Sequence, residues 1–310
     1  MIPFEAQEIY GNWATLLLPV NDDDSINFKQ LEDEIDVLIS FGVDGIYSNG
    51  TAGEFYNQTE AEFDQINGLL ASKCNAAGMP FQIGCSHMSP KISLERVVRA
   101  KELKPSAIQI ILPDWFVPSM VEIINFLKVM TAAANPIGLV LYNPPHAKKR
   151  LSPADFTEIL NAGVPLTGCK VSGGDEQWYQ EMRNLPVPFS VFIPGHHLAT
   201  GVSRGAHGAY SNVACLNPKM AQTWYNDIIK KEGEPFELQS RIQRFMDNCI
   251  VPYILDKRYS NQAVDKFMAA VGGWTNISPR LRWPYRSIPA DDVLSIREKC
   301  AELLPEVFSN

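Results

Sequence analysis

The sequence predicts an α/β fold, a closed (β/α)8 TIM barrel with a C-terminal helical extension. Short apolar runs bounded by Gly, Pro and Asn alternate eight times with stretches of helical periodicity over about the first 230 residues. From about Pro235 to Asn310 only helical patterning remains. No low-complexity tract or flexible linker intervenes, so the expected division is a barrel over residues 1–233 and an extension over 234–310. Periodicity alone leaves an open doubly wound sheet as the alternative.

Taken in order, Trp13 to Pro19 is an apolar run short enough for a buried first strand. A loop with Asp22, Asp23, Asp24 and Ser25 follows, and then Phe28, Leu31, Ile35, Leu38 and Ile39 recur at helical spacing. Asp44 to Ser48 reads as the second strand and opens into Asn49-Gly50-Thr51-Ala52-Gly53-Glu54. Thr59 with Glu62 three residues later forms a capping box for a helix running to about Ala77. Pro80 to Cys85 is the third strand, and Ser89-Pro90 starts a helix with proline in its first turn. Ala107 to Leu112, Gly138 to Tyr142, Val164 to Lys170, Phe189 to Ile193 and Ala206 to Ser211 supply strands four to eight, each followed by a helical pattern. The arginine-rich turn Pro279-Arg280-Leu281-Arg282-Trp283-Pro284 interrupts the extension before a last helix near Ala290.

At 310 residues the chain can bury a substantial core, and its 45% hydrophobic and 20% charged residues are ordinary for a globular protein. A formal charge of −8 argues against a general affinity for nucleic acid or anionic membrane. The N-terminal residues lack a basic, then apolar, leader, and no stretch is apolar for long enough to span a membrane. The expectation is a cytoplasmic protein. Its six cysteines are widely spaced with no Cys-x-x-Cys pair, which reads as reduced thiols.

In a barrel, reactive groups gather at the C-terminal strand ends. Those ends carry Thr51, Glu54, His87, Trp115, Tyr142, Lys170, Gly195 and Tyr210. Tyr142 and Lys170 close consecutive strands of one strand, helix, strand unit and are therefore expected side by side. Burial disfavours an ammonium, so a lysine held there keeps a fraction of free amine that attacks carbonyls, and a neighbouring phenol can carry protons. A solvated strand-end lysine beside a space-filling tyrosine is the commoner arrangement when those two residues stand alone. The Gly50-Thr51-Ala52 turn offers backbone N–H groups suited to a carboxylate, or is simply a tight turn. His87 and His196 are candidate pocket residues. His196 and His197, adjacent in sequence, are expected to turn apart, which argues against a two-histidine metal site. His207 reads as structural.

The succession Gly-Val-Asp-Gly-Ile, Asn-Gly-Thr-Ala-Gly-Glu-Phe, Leu-Tyr-Asn-Pro-Pro, Gly-Cys-Lys-Val-Ser and Gly-Ala-His-Gly-Ala-Tyr-Ser-Asn resembles the dihydrodipicolinate synthase and N-acetylneuraminate lyase family over about Gly11 to Pro218. The resemblance implies a metal-independent class I aldolase without a cofactor. In it Lys170 forms a Schiff base with a 2-oxo acid, usually pyruvate, Tyr142 shuttles protons, and Thr51 relays them. It also implies that the Thr51-Ala52 backbone holds the keto acid's carboxylate, that Gly50 belongs to the same turn, and that Gly195 and Tyr210 line the imine pocket.

Three departures stand against that pattern. Ala52 replaces a second hydroxyl, removing one hydrogen bond worth about 1 kcal/mol to the carboxylate. Trp115 stands where the synthases carry a relay tyrosine, and an indole N–H cannot accept a proton. Ala147 stands where the synthases place an arginine five residues after the tyrosine, so the chain is expected not to be a dihydrodipicolinate synthase. The nearby segment His146-Ala147-Lys148-Lys149-Arg150 is either an anion contact or a solvated loop.

The expected function is a lyase making or breaking a carbon–carbon bond through an imine, on pyruvate or a sugar-acid-like 2-oxo acid. A sugar-acid dehydratase using the same lysine is the alternative, and a non-catalytic metabolite-binding barrel is the alternative of another class. The resemblance further implies a homo-oligomer, dimer or tetramer.

Overall fold

Eight short parallel strands close on themselves in a computed structural model that describes residues 2–309. They are β1 (Gly11–Thr15), β2 (Gly45–Ser48), β3 (Phe81–Gly84), β4 (Ala107–Ile111), β5 (Gly138–Tyr142), β6 (Leu166–Lys170), β7 (Ser190–Ile193) and β8 (Gly208–Tyr210). Each pairs with its sequence neighbours, and β8 returns to β1 with Trp13 opposite Tyr210. The closure excludes the open doubly wound sheet.

The helices between them are α1 (Phe28–Ser40), α2 (Glu60–Ala77), α3 (Pro90–Glu102), α4 (Met120–Ala134), α5 (Pro153–Asn161), α6 (Glu176–Arg183) and α7 (Leu198–Ser203). Their starts follow the cap chemistry of the sequence: Thr59–Glu62, Ser119–Glu122 and Ser152–Asp155 each form reciprocal capping boxes. After β8 come α8 (Asn212–Leu216) and α9 (Pro218–Lys230), then α10 (Pro235–Phe245), a π-helical turn (Met246–Ile250), α11 (Val251–Leu255), α12 (Asn261–Gly272) and α13 (Asp292–Leu303).

β5 matches the sequence expectation to the residue, the other seven strands differ from it at one or both ends, and two of those differences have a clear physical reason. The first strand spans Gly11–Thr15, not Trp13 to Pro19: Leu16 N–H gives a last bond to the Tyr47 carbonyl at 2.8 Å, and Leu17 and Leu18 are buried without continuing the ladder. Leu17 N–H instead donates to the buried Glu34 Oε1 of α1 at 2.7 Å. Hydrophobicity reports burial, and a leaving loop buried under a helix looks like strand. The sixth strand begins at Leu166, after Pro165, which has no N–H to give the sheet.

The barrel interior is filled by Trp13, Tyr47, Val140, Phe192 and Tyr210. Tyr210 packs on Tyr47 at 4.8 Å and on Phe192 at 4.5 Å between ring centroids, and its hydroxyl donates to Gln82 Oε1 at 2.6 Å. Cys169 faces the other way, into the layer between barrel and helices. Beyond β8 the described chain is helical. α12 packs against α8 so closely that a Cβ on Gly272 would collide with the Leu216 carbonyl. The arginine-rich turn folds back over the barrel top, where Arg282 donates to Glu62 Oε2 and to the Asn57 carbonyl, both at 2.9 Å.

Candidate active site

Strand register brings Tyr142 and Lys170 together. They are direct partners on β5 and β6, with Lys170 Nζ 4.5 Å from the Tyr142 ring centroid. The Tyr47 and Tyr210 rings lie 5.2 Å and 5.5 Å from the same nitrogen. This aromatic cup removes water from the amine. Burial holds the Lys170 pKa down at about 8, against a smaller opposing pull from the charge of Asp265. The Tyr142 phenol is pushed upward by burial and held back by the nearby Thr51 side chain.

Thr51 is presented by a turn locked from several sides. Asn49 and Glu54 both adopt left-handed backbone, with φ of 54° and 50°. Asn67 Oδ1 accepts from Ser48 Oγ at 2.6 Å and from Asn49 Nδ2 at 3.1 Å, while Glu54 pairs with Lys266 of α12. At Gly50 a Cβ would meet the Tyr47 ring at 2.6 Å, so glycine lets the turn approach the aromatic cup.

Thr51, Ala52, Tyr142, Lys170, His196 and Tyr210 share one inner cavity of about 330 Å³. Thr51 and Tyr142 also border an outer chamber of about 510 Å³ that includes Phe55, Tyr56, Met88, Ile111, Leu112, Tyr259 and Tyr285. Gly195 is buried beside the inner cavity, where a Cβ would strike Ser211 Oγ.

His87 and Trp115 line neither space. His87 Nδ1 accepts the Ser89 N–H at 2.9 Å, and Trp115 is 69% exposed with Lys148 Nζ donating to its carbonyl at 2.8 Å. In the basic segment His146, Ala147 and Lys149 border the outer chamber, and Lys149 also pairs with Asp155 at 3.3 Å. His207 lies at the barrel's lower end, where its Nδ1 accepts the Val191 N–H at 3.1 Å.

His196 and His197 correct one expectation. Their rings sit 4.1 Å apart instead of turning away from each other. They occupy a 3-10 turn, Gly195–His197, on which successive side chains diverge by about 120° instead of the roughly 180° of a strand. Burial and the neighbouring His197 lower the His196 pKa to about 4, and Asn212 hydrogen-bonds its Nδ1 at 2.9 Å, so the ring is neutral above that pH.

The C-terminal helices complete the inner cavity with Gln243, Met246, Asn261, Val264, Asp265 and Met268, none of which was a candidate from sequence. A signal was present. Asp265-Lys266 places two charges inside the apolar run Ala263 to Ala269, which a solvated helix face would not do. Burial raises the Asp265 pKa to about 7, while Lys170 opposes that rise.

The model of the dihydrodipicolinate synthetase family matches residues 8–298. The chain belongs to this family. It is thus an aldolase-type lyase by descent. Among curated members it is 23% identical over 306 residues to the trans-O-hydroxybenzylidenepyruvate hydratase-aldolase of Sphingobium xenophagum, covering 91% of this chain and 90% of that one. It is 25% identical over 258 residues to an Escherichia coli N-acetylneuraminate lyase, covering 79% and 83%. A prophage protein of the family from E. coli K12, solved in complex with pyruvate, superposes with a TM-score of 0.82 at 18% identity, over 95% of this chain and 98% of that one. At that identity the superposition speaks for the fold. Among the described residues, no helix is long and apolar enough to cross a membrane.

Proposed function

We propose that the protein is a Schiff-base-forming lyase in which Lys170 attacks the keto carbon of pyruvate or a related 2-oxo acid. The observation that carries this reading is the Lys170 amine, held down near pKa 8 among aromatic rings and 4.5 Å from the Tyr142 ring. Attack by the amine and loss of water give an iminium, which accepts the electron pair of a breaking carbon–carbon bond. Tyr142, with the Thr51 side chain nearby, moves the protons of imine formation. The turn at Gly50, Thr51 and Ala52 holds the substrate carboxylate, and Gly195, Tyr210 and His196 shape the rest of the imine pocket.

The second reactant enters through the outer chamber. Sequence favoured a sugar acid, but Phe55, Tyr56, Met88, Leu112 and Tyr285 suit a carbonyl compound with a flat apolar body. The Sphingobium relative, named for action on a hydroxybenzylidenepyruvate, supports that choice. Its name also joins hydration to cleavage, which keeps the dehydratase reading as the second one. Ala147 in place of an arginine supports a reaction other than that of the synthases.

We further read the protein as a cytoplasmic homo-oligomer. All six cysteines are buried free thiols, as suits a reducing compartment. The contiguous residues Trp115, Phe116 and Val117, with Val121 a turn beyond, are more than half exposed and suit a contact with a second copy.

The deciding experiment is intact mass after incubation with pyruvate and sodium borohydride, repeated with aromatic and sugar-derived 2-oxo acids. An adduct in the native protein that is lost in Lys170→Ala supports the reading. No adduct with any of these acids would overturn it in favour of a binding barrel.

A further inference from the structure

Asp265 is a charged group on the wall of the inner cavity to which the mechanism above gives no task. It comes from α12, outside the barrel, and faces Lys170 of β6 across the cavity. Its carboxylate takes no hydrogen bond and no ion pair among the described residues. A half-buried carboxylate ordinarily finds such partners. The adjacent Lys266 cannot supply one, because it is turned to Glu54 Oε1 at 2.7 Å. Lys170 feels the carboxylate's charge without an ion pair to it, and both side chains line the one inner cavity. In a substrate complex the carbon atoms attached to Lys170 would occupy that space.

Accepting the Schiff-base reading, on which this rests, we infer that Asp265 is a further catalytic residue, the base that removes and returns the proton on the carbon next to the imine carbon. The step balances without any other reactant. The iminium joins Lys170 Nζ to C2 of the 2-oxo acid. Asp265 takes a proton from C3, the C3–H electron pair becomes the C3–C2 double bond, and the C2–N π pair settles on nitrogen. An iminium and a carboxylate thereby become a neutral enamine and a neutral acid. Loss of two opposite charges is favoured where water is excluded, and the return step restores them when C3 is protonated.

The surroundings tune Asp265 for this exchange. Lys170 faces it from β6, Tyr142 from β5, Tyr47 from β2 and Cys215 from α8, with Tyr56 feeling the same charge from the turn after β2. Among the described residues Lys170 is the one cation acting on it. Burial places its pKa at about 7, so near neutrality it exists both as base and as acid.

Pyruvate serves as probe, with borohydride trapping read by mass and deuterium entry into the methyl group read by NMR in D2O. The proposal expects wild type to do both, Asp265→Asn to trap pyruvate while exchange per trapped enzyme falls by about 100-fold or more, and Asp265→Glu to recover part of it. The wild-type exchange rate should rise with pH through about 7, and that limb should be missing in Asp265→Asn. Exchange at the wild-type rate in Asp265→Asn overturns the proposal, as does a wild type that traps pyruvate without exchanging it. Loss of trapping in Asp265→Asn also overturns it, since the residue would then serve the lysine or the fold. Absence of trapping in wild type instead removes the Schiff-base reading itself, a failure visible before any variant is compared.

Discussion

Lys266 Nζ lies 2.7 Å from Glu54 Oε1 with both side chains completely removed from solvent. Lys266 also donates to the Arg280 carbonyl at 2.6 Å, and Glu54 Oε2 accepts the Arg282 N–H at 3.1 Å. One ion pair thus fixes the turn that presents Thr51, the helix that presents Asp265 and the arginine-rich segment that covers both. Removing one partner leaves the other charged and buried. Lys266→Met is expected to cost about 3–5 kcal/mol in urea denaturation, and the double variant with Glu54→Leu is expected to cost less than that single change.

The role proposed for Lys170 sets catalysis against stability. Its folded pKa of about 8 lies below the ordinary lysine value of 10.5, so between those limits the unfolded chain binds more protons than the folded one. Stability from this group therefore rises with pH from about 8 to 10.5, and the cost of the buried ammonium is felt in full below about 8. Lys170→Met is expected to be more stable than wild type near neutral pH, with the difference narrowing as pH approaches 10.5. Denaturation curves at both ends of that window check the sign.

The phenol and its hydroxyl partner should act in series. Tyr142→Phe is expected to slow the initial rate of pyruvate trapping by about 10²- to 10⁴-fold, the usual contribution of a general acid–base group. Thr51→Val, which leaves the phenol in place, should slow it less. Equal losses in both would mean that Thr51 does more than support Tyr142.

Restoring a hydroxyl beside Thr51 tests the carboxylate subsite. Ala52→Ser is expected to tighten pyruvate binding about fivefold, equivalent to roughly 1 kcal/mol. Titration calorimetry on the Lys170→Ala background separates this binding from imine formation.

The apolar strip at the start of α4 should govern self-association. Phe116 is 79% and Val121 70% exposed. Phe116→Glu with Val121→Lys is expected to lower the sedimentation mass without altering the circular dichroism spectrum.

Most of the barrel was legible because its signals are local. The capping boxes at Thr59, Ser119 and Ser152 and the proline at position 90 depend on residues within one helical turn. Failures came where burial and pairing separate, as at Leu17 and Leu18, or where a turn replaced a regular element, as at His196 and His197. Tyr142 and Lys170 could be paired in advance because consecutive parallel strands end on one face.

By itself, then, the sequence determined the order of strands and helices, the pairing of Tyr142 with Lys170 on β5 and β6 and the glycine turn beside it. Tertiary structure alone decided what completes the cavity. Asp265 lines the same cavity as Lys170 only because α12 folds back over the barrel and is pinned there by Lys266 and Glu54, residues far apart in the chain. It likewise decided that Trp115 and His87 stand outside both chambers, since strand-end position fixes a residue's height on the barrel but not the direction its loop takes. Contacts between distant segments leave no period in the sequence, so they emerge only once the chain has closed.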